Sequence, residues 1–92
     1  MSFTWNDAKN AQLKEVRGIS FEEIVASIDG GGLVAVLKHP NPSRFPSQVL
    51  YLVQHNDYIY VVPAMIDDSD GTVFFKTAYP SRKYTQRHLR KA

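Results

Sequence analysis

Ninety-two residues, 43% of them apolar and none of them cysteine, define one small domain over 1–92 with a real but thin core and no disulfide or thiolate metal site. The formal charge of +2 conceals a split: all nine acidic residues lie at or before Asp70, whereas six of the eleven Lys/Arg (Lys76, Arg82, Lys83, Arg87, Arg90 and Lys91) follow Gly71. The N-terminus has no basic start leading into an apolar stretch, and no apolar run approaches the ~20 residues of a membrane helix, so a cytoplasmic protein without membrane association is expected.

Phe3 to Trp5 is an apolar entry suited to an edge strand. Asn6 can cap a helix over Asp7 to Arg17, with Asp7 favourable in the first turn and Gly18 as its stop. Ser20-Phe21-Glu22-Glu23 is a capping box, flanked by Ile19 and Ile24 at the positions of a hydrophobic staple. Phe21, Ile24, Val25 and Ile28 then form one apolar helical face that ends at Gly30-Gly31-Gly32. Leu33 to Leu37 reads as a strand, and His39 to Gln48, with three prolines, as a loop. Val49 to Gln54 and Tyr58 to Met65 are β-rich runs joined by a turn at His55-Asn56-Asp57. After the turn Asp67 to Gly71, a fourth strand is expected over Thr72 to Tyr79, broken by Pro80. Ser81 can cap a short basic helix over Arg82 to Arg90. The expected class is α+β: two N-terminal helices, a four-stranded antiparallel meander and a basic C-terminal helix.

Most familiar sites are missing from the pattern. Asp68-Ser69-Asp70-Gly71 is similar to the middle of a calcium loop, but its first ligand position would be Ile66 and no acid follows Asp70. His39, His55 and His88 have no zinc spacing, and the triple glycine lacks the lysine of a phosphate loop. No metal and no cofactor are therefore expected. No Gly-x-Ser-x-Gly element supports nucleophilic hydrolysis. What remains is chemistry by cations, hydroxyls and imidazole, which suits RNA cleavage, because RNA carries its own 2′-OH nucleophile. Lys76, Tyr79, Arg82, Lys83, Arg87 and His88 bracket the last strand and helix; Tyr84 and His88 share a helical face, as do Lys83 and Arg87. The plainer readings stay beside these: Tyr84 as a packing residue, His88 as an exposed ring, Arg90 and Lys91 as a solvated end, Arg82 and Lys83 as site or surface.

Two segments together resemble one family. Phe3-x-Trp5-Asn6-x-x-Lys9-Asn10 followed by Ile19-Ser20-Phe21-Glu22-Glu23 is similar to the opening of BrnT-type toxins, and Tyr79-Pro80-Ser81-Arg82-Lys83-Tyr84-Thr85 resembles their closing Arg-Lys motif. The resemblance implies a RelE-like fold and a ribonuclease that arrests translation by cutting RNA, mRNA among its candidate substrates. It also implies a cognate antitoxin, of ribbon-helix-helix or helix-turn-helix type, that binds operator DNA. Carried over by position, Arg82 and Lys83 are active-site cations with Ser81 beside them, while Lys9 and Asn10 read as structural or partner-facing. Lys76 joins the cations, Tyr79, His88 and His55 are candidates to move protons, and Arg87 and Tyr84 to bind RNA. The family commonly has Lys-His-Gly where this chain has Val16-Arg17-Gly18; Arg17 can hold phosphate but cannot transfer a proton at neutral pH.

Overall fold

The computed structural model describes residues 2–44 and 47–90. Lys91 and part of the expected 39–48 loop lie outside these. The elements run β1 (Phe3–Trp5), α1 (Asp7–Arg17), α2 (Phe21–Ser27), β2 (Leu33–Lys38), β3 (Gln48–His55), β4 (Tyr58–Ile66), β5 (Val73–Phe75), β6 (Tyr79–Pro80) and α3 (Arg82–His88).

The helix ends follow local chemistry. Asn6 accepts from the Lys9 backbone N–H, and Gly18 closes α1 in the left-handed region at φ 68°. Ser20 and Glu23 complete the capping box of α2, each side chain accepting from the other's backbone N–H at 3.1 Å. The glycines do more than stop α2: Ile28–Gly32 make one wide π-type turn with Gly31 at φ 93°, delivering the chain into β2. Asn56 and Asp57, both at positive φ, form the tight turn between β3 and β4.

The sheet is mixed, with the order β1-β5-β4-β3-β2 and β6 added beside β4. Strands β2 to β5 form the expected antiparallel meander. Two features correct the four-stranded antiparallel expectation. First, β1 pairs with β5 in parallel, Phe3 opposite Val73 and Trp5 opposite Phe75. Aromatic packing holds it there: the Phe3 ring stacks on Phe75 at 4.9 Å, and Trp5 meets Phe21 of α2 at 5.5 Å. Second, the expected strand Thr72 to Tyr79 is cut in two. β5 pairs with residues 64–66 of β4 and β6 with residues 60 and 61. Pro63 lies between them; its carbonyl accepts from Lys76 N–H at 2.8 Å, so its backbone faces this side of β4. Proline has no N–H to continue the ladder, and the chain bulges over residues 76–78. Pro80 does not break the strand but is part of β6, which pairs on one side only and so tolerates the missing donor.

Each face of the sheet carries an apolar cluster. Leu13, Ile19, Phe21 and Ile24 of the α1–α2 region pack on Tyr51, Val53, Val62, Ala64, Val73 and Phe75. On the opposite face Leu50, Leu52, Ile59 and Val61 pack with Ala35, Leu37, Tyr84 of α3 and Leu89 just after it. Among the described residues, no helix is long and apolar enough to cross a membrane.

Candidate nucleic-acid interface

The C-terminal helix begins where β6 leaves the sheet. Ser81 caps it, its Oγ accepting from Tyr84 N–H at 3.1 Å, while the Ser81 N–H donates to the Ile59 carbonyl at 2.9 Å. Thr85, buried to 2% exposure, accepts from the Ile59 N–H at 2.8 Å. Both backbone groups of Ile59 are thus taken up by α3, which fixes the height and angle of the helix over the sheet.

That seating decides where each charged side chain goes. Arg82 takes one flank, lining a shallow cavity of about 260 Å³ with Tyr58, Thr85, Gln86 and Arg90. Arg90 continues this flank towards the β3–β4 turn, its guanidinium 3.6 Å from the Asp57 carboxylate. The other flank is built around Tyr84. The Lys83 ammonium sits 5.2 Å from the centre of the Tyr84 ring and the Arg87 guanidinium 5.7 Å from it. The His88 ring lies 6.2 Å away, inclined by 26°. Helical spacing brings these four together, and the negative face of the Tyr84 ring attracts each cation through its quadrupole, offsetting part of their mutual repulsion. Tyr84 both packs on the sheet and carries this cluster, so the packing and binding readings describe two parts of one side chain.

Lys76 and Tyr79 belong to the same neighbourhood. Tyr79 pairs with Val61, whose side chain lies under α3, and both Tyr79 and Lys76 are exposed. No strand carries an acidic residue, and neither does α3. Every Asp and Glu lies on α1, α2, the π turn or the turns at 57 and 67–70. The cations of α3 thus stand on a helix and over strands that carry no acid of their own, with Asp57 and the Asp67–Asp70 turn at the sheet ends, and there a polyanion meets least repulsion.

Two expected site residues lie elsewhere. His55 is on the α2 side of the sheet, its Nδ1 2.9 Å from Ser27 Oγ and its Nε2 3.6 Å from Glu23 Oε2. These contacts fasten α2 to the β3–β4 turn. Beside them, a hollow of about 400 Å³ is lined by Ser27, the three glycines and residues 54–57. Arg17 ends α1, whose Leu13 belongs to that same side. Neither reaches the α3 cluster, because α1 and α2 pack on one face and α3 on the other. Of the matching N-terminal pair, Asn10 is buried and structural: its Oδ1 accepts from the Phe21 N–H at 2.8 Å and its Nδ2 donates to Glu22 at 2.7 Å. Thr85 has no part in the expected site, although it seats the helix that carries Arg82, Lys83, Tyr84, Arg87 and His88. Its signals in the sequence are its place at the end of the closing Arg-Lys motif and a small β-branched side chain amid long polar ones.

Among the described residues no group of three or more His, Asp or Glu could hold a metal ion. No protein-family model matches the chain, and no curated protein or solved structure matches it either.

Proposed function

We propose that this chain is the toxin of a type II toxin–antitoxin system, of BrnT type and RelE-like fold, and that it is a metal-independent endoribonuclease whose RNA surface is the Tyr84 flank of α3. The observation that carries the reading is the grouping of Lys83, Arg87 and His88 around one ring on a helix that carries no acidic residue. Phosphate meets the cations there and a base can stack on exposed aromatic surface. In the reaction the 2′-oxygen attacks the adjacent phosphorus, its proton passes to a base, and the 5′-oxygen leaves with a proton from an acid. Lys83 and Arg87 stabilise the charge that builds on the phosphorane. His88 is the proton-moving group, with Tyr79 as its partner. Lys76 and Arg82 hold neighbouring phosphates. A DNA-binding antitoxin covers the cationic side and suppresses cleavage.

The test is tightly controlled expression with growth and RNA integrity followed together. Growth arrest with RNA fragmentation, both lost in a folded Lys83→Ala, Arg87→Ala variant, is the expected result. Arrest that survives this double substitution overturns the site. One observation favours a second reading, a nucleic-acid-binding module that does not cut: His88 is the only imidazole on α3, and His55 lies across the sheet from it. That module binds RNA in a salt-dependent way and leaves it intact.

A further inference from the structure

We infer that the strip of sheet left open beside α3, centred on Phe74 and Met65, is a platform on which bases of single-stranded RNA stack. This rests on the proposed RNA surface and extends it from the helix onto the strands.

The strip follows from strand alternation. Val73 and Phe75 point into the core at 1% exposure each, so Phe74 between them points to the α3 side, and there it is 38% exposed. Its neighbour across β4 is Met65, 41% exposed, and its neighbour across β1 is Thr4. Met65 in turn faces Gln48 of β3. These four residues form one row across four strands. The next row, from Pro63 to Leu50 and Leu37, begins the part that α3 covers. The helix is too short to reach the outer row: its seven residues span only about 10 Å.

An outward Phe in an inner strand, beside an outward Met, is poorly explained by solubility. Its surroundings favour a nucleic acid over a protein strand or helix. Lys76 follows Phe74 by two residues, about 6–7 Å along the backbone, on the way to α3. Thr4 beside the ring and Gln48 beside Met65 add hydrogen-bonding groups at the two ends of the row. No acid interrupts the path from Phe74 through Lys76 and Tyr79 to Lys83 and Arg87. The Asp67–Asp70 turn bounds the strip at its outer end; from Phe74 towards α3, rings alternating with cations match bases alternating with phosphates.

The experiment compares two probes at fixed salt by fluorescence anisotropy: a labelled ten-nucleotide single-stranded RNA, and an abasic phosphodiester of equal length. Phe74→Ala is expected to weaken binding of the RNA roughly tenfold and to leave the abasic polymer unchanged, and Phe74→Trp is expected to restore it. Thermal unfolding confirms that each variant is folded. If Phe74→Ala binds RNA as the unaltered chain does, or loses both polymers alike, the platform is wrong. In that case a Lys83→Ala, Arg87→Ala variant that still weakens both polymers leaves the α3 surface standing. Binding of neither polymer by the unaltered chain removes both proposals. Self-association abolished by Phe74→Ala, with RNA binding intact, identifies the strip instead as a contact between copies and overturns the platform.

Discussion

The Ile59 backbone N–H donates to Thr85 Oγ1 at 2.8 Å, joining an inner strand to the helix that carries the cationic cluster. Ile59 belongs to β4 beyond the end of the short β6, so no strand supplies this acceptor; a side chain does. Thr85→Val keeps the shape and removes the acceptor. It should destabilise the protein by about 1–3 kcal/mol, the cost of a buried donor left unpaired. Thr85→Ser should recover most of that. Urea unfolding of the two variants checks the difference, and equal stability would mean that packing alone seats α3.

Asn10 ties α1 to α2 in a similar way. Asn10→Ala leaves the buried Phe21 N–H without a partner and should cost about 1–3 kcal/mol in denaturant unfolding. It should also release Glu22. The Asn10 amide is the main cause holding the Glu22 carboxyl below its ordinary 4.5, with the backbone N–H of Glu22 and then Lys14 contributing. A carboxyl with a depressed folded value stabilises the protein above its unfolded value, and that contribution is lost as pH falls from about 4.5 through the folded value. In Asn10→Ala, the Glu22 titration followed by NMR should therefore move upward. An unmoved midpoint would refute the assignment.

The three glycines of the π turn should not be equivalent. A Cβ on Gly32 would lie 2.7 Å from the backbone carbonyl oxygens of both Gln54 and Ser27, whereas a Cβ on Gly30 would meet open space. Gly32→Ala should cost about 1–3 kcal/mol through forced backbone movement, and Gly30→Ala should change stability by less than about 0.5 kcal/mol. Thermal unfolding of the pair separates a spatial requirement from a merely flexible linker.

Salt dependence should report how the cluster meets RNA. Each Lys or Arg that neutralises a phosphate of a single strand contributes about 0.7 to the slope of log affinity against log salt. Removing Lys83 and Arg87 together should reduce that slope by about 1.4. Arg17→Ala, across the sheet, should leave it unchanged. An equal fall for Arg17→Ala would show that affinity follows net charge and not this surface.

The caps of α1 and α2, the turn at Asn56-Asp57, the meander from β2 to β5 and the basic last helix were all legible in the sequence, because each depends on residues a few positions apart. Ser20 needs only Glu23 to close its box. The continuous apolar run from Val49 to Val53 also contained more than a strand, since successive residues face opposite sides and both sides must then be covered. Other features depended on groups far apart in the chain. The parallel seat of β1 rests on rings from Phe75 and Phe21, and the cut between β5 and β6 on the missing N–H of Pro63. Above all, the sequence by itself determined that cations and rings are concentrated at the end of the chain; tertiary structure decided which of them meet. With α1 and α2 burying one face of the sheet, the other apolar face was left for α3. That placement gathered Lys83, Tyr84, Arg87 and His88 on a helix without acidic residues and left His55 and Arg17 behind the sheet, because burial of both faces is a long-range demand that no local pattern specifies.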